Sequence, residues 1–256
     1  MRIKGLVALV TGGASGLGEA TVEVLHARGA KVAVFDLNVE AGEVLCRRLG
    51  DGAIFAKVDV TDSASAEEGI KKTIETFGAL HICVNCAGVA DSGKTLGKNV
   101  PLPLESFKKV IDINLNGTFN VLRLAAFEMA KNEPLNDNGE RGVIVNTASG
   151  AAFDGQRGQA AYAASKAGIC GMTLPIARDL SSVGIRIISI APGLFFTPMA
   201  KSLPEKLVYH LTNLAEFPKR LGNPPEFGEL VAHIVENSYF NGEVIRLDAA
   251  MRLPPR

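Results

Sequence analysis

Short apolar runs alternate along this chain with longer segments whose apolar residues recur every three or four positions. The runs at 5–10, 31–36, 52–60, 79–88, 142–149, 184–193 and 242–248 are rich in Val, Ile, Leu and Ala. Glycine or charged residues bound them, so they predict strands. Between them, the segments 19–30, 41–50, 63–78, 104–131, an Ala-rich stretch opening near 158, and 225–236 predict helices. Strands this uniformly apolar are covered on both faces, and regular strand–helix alternation implies parallel neighbours. The expected architecture is α/β, one doubly wound parallel sheet with helices on both faces. No repeat of solenoid period and no separating linker interrupts it, so residues 1–256 are expected to form a single domain. The segments 91–103 and 132–142 lack periodicity and read as insertion loops.

Two places on this frame carry chemistry. In the stretch 149–166, SGAAFDGQRGQAAYAASK, Tyr162 and Lys166 stand four apart at the start of a helix. Residues so spaced lie one above the other on one face. A free phenol titrates at about 10, too high for a base at neutral pH. A cation beside it favours the phenolate, so the pair is suited to general acid/base work. Ser149 ends the strand segment 142–149 and offers a hydroxyl that donates and accepts, as a group steering a carbonyl or alcohol must. The competing reading is a half-buried helix tyrosine, a solvated lysine and a turn-capping serine. The motif YxxxK alone does not choose between them.

The other place is TGGASGLG, between the first strand and the first helix. Gly12, Gly16 and Gly18 there let the backbone turn tightly and approach a pyrophosphate, whose charge suits a helix N-terminus. The spacing GxxxGxG is a variant of the usual dinucleotide fingerprint. Asp36 ends the second strand 24 residues beyond Gly12, close to the offset of about 20 at which an acid meets the adenosine ribose. A carboxylate there repels a 2′-phosphate, and position 15 is Ser rather than a cation, so NAD is expected over NADP.

Composition narrows the field. Lys+Arg and Asp+Glu both count 27, which leaves no electrostatic footprint for nucleic acid or an anionic membrane. No apolar run reaches the length of a membrane span, and the tempting stretch 187–200 is broken by Pro192 and Pro198. The N-terminal residues enter a strand directly without a cleavage-site pattern, so no signal peptide is read. The expected location is the cytoplasm, with the mitochondrial matrix as the eukaryotic alternative. Cys83 and Cys86 form a CxxC, but three residues along a strand span about 10 Å and point to opposite faces, so a structural role is read for both. His26, His81, His210 and His233 show no metal-ligand spacing, and no metal is expected.

The motifs taken in order resemble those of the short-chain dehydrogenases/reductases along nearly the whole chain. TGGASGLG is similar to their cofactor loop, and NCAG at 85–88 to their NNAG turn, with Cys86 in place of the second Asn. Asn114, Ser149, Tyr162 and Lys166 match their catalytic tetrad, and APG at 191–193 their nicotinamide-side turn. The resemblance implies a Rossmann-type fold whose N-terminal half binds mainly NAD and whose C-terminal half holds catalysis and substrate. It implies that Tyr162 takes the alcohol proton, that Lys166 lowers the phenol pKa and grips the nicotinamide ribose, and that Ser149 bonds the reacting oxygen. Asn114 would hold a proton-carrying water.

By the same resemblance Ser15, Leu17, Asp59, Val60, Asn85, Cys86, Ala87, Pro192, Phe195 and Thr197 line the cofactor, with Asp59 and Val60 flanking the adenine. Ser149, Tyr162, Phe196 and Met199 would meet the substrate. Phe195, Phe196 and Met199, with Leu203 and Leu207 beyond, read as an apolar flap or as ordinary core. The insert 132–142 and the closing 241–252 are similar to a branch of the family acting on 3-hydroxyacyl-CoA, in part also on hydroxysteroids. An acyl-CoA or similar apolar alcohol or ketone is the expected small-molecule partner, and a homotetramer the expected assembly. A biosynthetic 3-oxoacyl reductase and a cofactor-binding scaffold subunit remain as alternatives.

Overall fold

The computed structural model describes residues 1–197, 209 and 211–255 of the 256. Seven parallel strands form one sheet in the order β3-β2-β1-β4-β5-β6-β7. They are β1 (Val7–Thr11), β2 (Lys31–Asp36), β3 (Ala53–Lys57), β4 (Ile82–Asn85), β5 (Gly142–Thr147), β6 (Ile185–Pro192) and β7 (Val244–Leu247). The strands alternate faithfully between faces. Ala8, Val10, Ile82, Val84, Val143, Val145, Ile188 and Ile190 enter one core, while Leu9, Cys83, Ile144 and Ile187 enter the other. Both sets are fully buried because each face is covered by helices.

On the first face lie α1 (Gly16–Ala27) and α2 (Val39–Leu49), which contribute Val22, Leu25 and Leu45. On the second lies α3 (Ser63–Phe77), contributing Ala66 and Ile70. The expected unbroken helix at 104–131 is instead α4 (Leu104–Ile111), a π turn at Asp112–Asn116, and α5 (Gly117–Met129). Hydrophobic periodicity does not distinguish a turn widened by one residue from a regular one, so the interruption left no signal. α6 (Ala160–Leu180) completes the second face, and α7 (Pro224–Glu236) returns to the first with Phe227 and Val231.

β3 stops at Lys57, three residues short of the predicted run, because Val58 onward leads into the Asp62 cap of α3. The insert 132–142 closes against the bottom of the sheet through a buried ion pair. Arg186 Nε on β6 lies 2.7 Å from Glu140 Oε1, with both side chains under a tenth exposed. Ser238 and Asn136 donate to the same carboxylate.

Candidate active site

The strand order reverses between β1 and β4, whose chains leave the sheet toward opposite faces. A crevice therefore opens at their carboxyl ends, the place where open parallel sheets hold ligands. Three turns meet there. Thr11 ties the first to the second, since its carbonyl accepts from Cys86 N at 3.1 Å and its hydroxyl from Ala87 N at 3.1 Å. Gly12 adopts φ +60°, and a Cβ on it would fall 2.8 Å from Ala87 N. A Cβ on Gly18 would stand 2.1 Å from the Gly12 carbonyl oxygen. Only glycine lets the turn close this tightly onto α1.

Ser15 is the N-cap of α1 but makes no side-chain cap bond, whereas Asn38 and Asp62 cap α2 and α3 in the usual way. The first-turn N–H groups of α1, Gly16, Leu17 and Gly18 among them, thus have no side-chain acceptor at the mouth of the crevice, a fit for a pyrophosphate. Asp36 braces the turn from β2. Its Oδ2 accepts from Ala14 N at 3.1 Å and its Oδ1 from Asn38 N at 2.9 Å. Beyond β3, Asp59 Oδ1 is held by Thr61 N and Oγ1, and the carbonyl of buried Val60 accepts from Asn120 Nδ2 at 2.9 Å. Thr197 reaches the turn from the far side, where a Cβ on Gly16 would meet its Cγ2 at 3.5 Å.

Lys166, Asn114 and Gly88 converge at the floor. A Cβ on Gly88 would lie 3.1 Å from Asn114 Oδ1 and 3.6 Å from Lys166 Nζ. Asn114 sits in the π turn and is wholly buried, its amide bonded to both backbone groups of Val89 and to Ser165 Oγ. Single π turns recur at functional sites because the extra residue re-aims a side chain. The turn here aims Asn114 across the crevice at the β4 end.

The Tyr162–Lys166 pair departs from its expected geometry. Lys166 Nζ donates to the Thr147 carbonyl at 2.7 Å and lies 5.8 Å from the centroid of the Tyr162 ring. Burial pushes its pKa down to about 8, and the Cys86 and Cys170 thiols pull it back only in part. Burial likewise raises the Tyr162 pKa above its ordinary value, while the Ser149 hydroxyl lowers it in part. The groups that set the phenol pKa here are its own burial and Ser149, with the ammonium 5.8 Å from the ring centre rather than on the hydroxyl. The i,i+4 spacing puts both on one face, but the long lysine side chain reaches past the ring to the end of β5. Ser149 is the group that lowers the phenol pKa. Its Oγ also accepts from Ala151 N at 3.1 Å, which caps the short 3₁₀ turn Gly150–Ala152.

Two expected cofactor contacts have side chains engaged elsewhere. Asn85 is buried, its Nδ2 donating to Asn146 Oδ1 at 2.9 Å across β4 and β5. Phe195 is 9% exposed and stacks edge-on against Phe227 at 6.5 Å. Cys86 is held by Thr147 Oγ1 at 3.5 Å, and burial pushes its thiol up to about 11. Pro192 ends β6, its carbonyl near Gly150, and Phe196 is 41% exposed. Met199, Leu203 and Leu207 lie outside the described residues. Sequence reasoning missed Thr147, whose role is a carbonyl and has no side-chain signature, and Ser165, an ordinary serine in an Ala-rich helix.

Among the described residues no group of His, Cys, Asp and Glu is arranged to hold a metal, and no helix is long and apolar enough to cross a membrane.

A glycine turn on a helix without a side-chain N-cap, with a buried tyrosine near a buried lysine, suits an oxidoreductase, and sequence comparison gives the class. The short chain dehydrogenase family model matches residues 6–208, and the chain belongs to that family. It is 53% identical to human 3-hydroxyacyl-CoA dehydrogenase type-2 over 99% of this chain and 97% of the human one. To the Drosophila melanogaster protein of the same name it is 55% identical, over 99% of this chain and 100% of the other. The crystal structure of 3-hydroxyacyl-CoA dehydrogenase type-2 from Mycobacterium avium superposes with a TM-score of 0.95 at 45% identity, covering 98% of each chain.

Proposed function

We propose that this protein is an NAD-dependent dehydrogenase that interconverts 3-hydroxyacyl-CoA and 3-oxoacyl-CoA. The observation that supports the reading is the convergence of Ser149, whose hydroxyl lowers the pKa of the buried Tyr162 phenol, and Lys166, 5.8 Å from the centre of the phenol ring, at the crevice where strand order reverses. The names of the relatives that match end to end supply the substrate class. Asp36 favours NAD, because its carboxylate holds the glycine turn where a 2′-phosphate would have to lie.

In oxidation, the substrate hydroxyl sits against Ser149 and Tyr162. Ser149 orients the oxygen, and Tyr162 accepts its proton as the carbinol carbon loses hydride. The bound nicotinamide supplies the hydride acceptor. Lys166, fixed by the Thr147 carbonyl, presents its ammonium beside the phenol and to the ribose side of the crevice. It stabilises the phenolate as the proton is lost. Asn114 fixes the π turn next to the Lys166 ammonium, where that proton leaves. Since burial holds the phenol protonated at neutral pH, Tyr162 serves first as the acid of the reverse, reducing direction, and oxidation gains as pH rises.

The exposed Phe119, Phe127 and Leu174 on α5 and α6, together with the open edge of β7, support assembly as a homotetramer. The cytoplasm or, in a eukaryote, the mitochondrial matrix is the inferred location. The deciding assay follows NADH consumption with acetoacetyl-CoA, and NADPH in parallel. Turnover with NADH upholds the reading. Turnover with NADPH alone assigns the protein to biosynthetic reduction instead, and none with either removes both.

A further inference from the structure

Arg246, on the edge strand β7, lies far in sequence from every residue of the candidate site, yet it ends beneath the turn that follows Ser149. Its Nη2 is 2.8 Å from Asp154 Oδ2 and donates to the Met251 carbonyl at 3.0 Å. Its Nε is 2.6 Å from Asp248 Oδ2, and its guanidinium carbon stands 5.0 Å from the centroid of the Phe153 ring. A Cβ on Gly150 would meet Nη2 at 3.7 Å, so the guanidinium lies beside the residue next to Ser149. The turn is held by its own short-range bonds and by the chain's last residues as well. Within the turn, Phe153 N and Asp154 N both share the Gly150 carbonyl. Further along, Gln156 Nε2 and Arg157 N donate to the carbonyls of Pro254 and Pro255, so the segment 251–255 docks on the same loop.

We propose that Arg246 is a positioning residue for the Ser149–Tyr162 pair, clamping the intervening turn to β7 and to the segment 251–255. The physical reason is geometric. The chain from Ser149 to Tyr162 contains Gly150, Gly155 and Gly158, and only a multi-donor planar cation can bond Asp154, Asp248 and a carbonyl while stacking on Phe153. If the turn drifts, the Ser149 hydroxyl shifts relative to the phenol whose pKa it lowers.

The proposal rests on the dehydrogenase reading for its kinetic arm, but its first test does not need turnover. The chain has three tyrosines and no tryptophan, and Tyr209 and Tyr239 are 72% and 100% exposed. Tyrosinate absorbance therefore resolves Tyr162 from the other two, with Tyr162→Phe as the blank. Arg246→Met is expected to raise the Tyr162 midpoint. The milder Asp154→Asn should do so by less, and Arg246→Lys should restore part of the native value.

In a Ser149→Ala background Arg246→Met is expected to add no further shift. Where the enzyme turns over hydroxyacyl-CoA, kcat falls about ten- to a hundredfold in Arg246→Met while KM for NAD stays within about threefold. An unchanged midpoint in both Arg246→Met and Asp154→Asn overturns the proposal. So does a shift that persists without the Ser149 hydroxyl. A native protein inactive on hydroxyacyl-CoA overturns the substrate reading alone, because the titration still decides this one.

Discussion

Lys166 bonds the Thr147 carbonyl at 2.7 Å, so the cation expected beside the Tyr162 hydroxyl is anchored to the last residue of β5, two positions before Ser149. Its position is thereby fixed before any ligand arrives.

A lysine pushed down to about 8 predicts a sign for stability. Between that value and the unfolded pKa of about 10.4 the unfolded chain binds the extra proton, so this residue adds stability as pH rises through the window. Below about 8 both states are charged and the burial penalty is fully felt. Cys83 and Cys86, whose thiols burial pushes up, act in the opposite sense. Comparison of native protein with Lys166→Met isolates the lysine. The difference in urea midpoint between the two should change from pH 8 to pH 10 in favour of the native chain, and a constant difference would contradict the account.

Asp36 makes two bonds to backbone N–H groups as well as presenting charge. Asp36→Asn keeps an acceptor and removes the repulsion. The NAD-to-NADP ratio of kcat/KM should fall by about ten- to a hundredfold, consistent with about 1–3 kcal/mol for one charge at a binding site. A ratio unchanged within about twofold would assign cofactor choice elsewhere.

The tightest backbone approach in the glycine turn is Gly18 on Gly12. Gly18→Ala should cost about 1–3 kcal/mol by overpacking and should weaken NAD binding more than any exposed alanine substitution. Thermal unfolding with and without NAD reads both effects.

Glu140 is buried with Arg186 at the other end of the sheet. Burial pushes its pKa up, but the hydrogen bonds and charge of Arg186 outweigh that and hold the carboxyl below its ordinary value. Its stabilisation is present above the unfolded pKa of about 4.3 and is lost as pH falls through the lower folded value. Glu140→Ala leaves the arginine unpaired and should cost about 3–5 kcal/mol in a urea titration at neutral pH. It should leave kcat per folded molecule unchanged, since no candidate residue is near.

Much of this was readable beforehand, for physical reasons that can be named. β2 runs over Lys31–Asp36 as its pattern predicts, because an apolar run closed by an acid has one strand register. The glycine turn, Asp36 and the tetrad are local side-chain signatures, and the fold brings them to one crevice. What escaped was non-local or carried by backbone. The π turn that aims Asn114 leaves hydrophobic periodicity intact. The inward turn of Phe195 onto Phe227 depends on a helix nearly thirty residues later. The clamp from Arg246 to Asp154 spans 92 residues of sequence, and nothing in either neighbourhood announces it.

The account stands or falls on Tyr162 as the proton-transferring group, and Tyr162→Phe tests that most directly, because it removes one hydroxyl and keeps the ring. With NAD and a 3-hydroxyacyl-CoA, kcat should fall by about a thousandfold, within the range of general acid/base contributions. NAD affinity by titration should stay within about threefold. A variant that retains kcat within about tenfold of the native protein would contradict the mechanism.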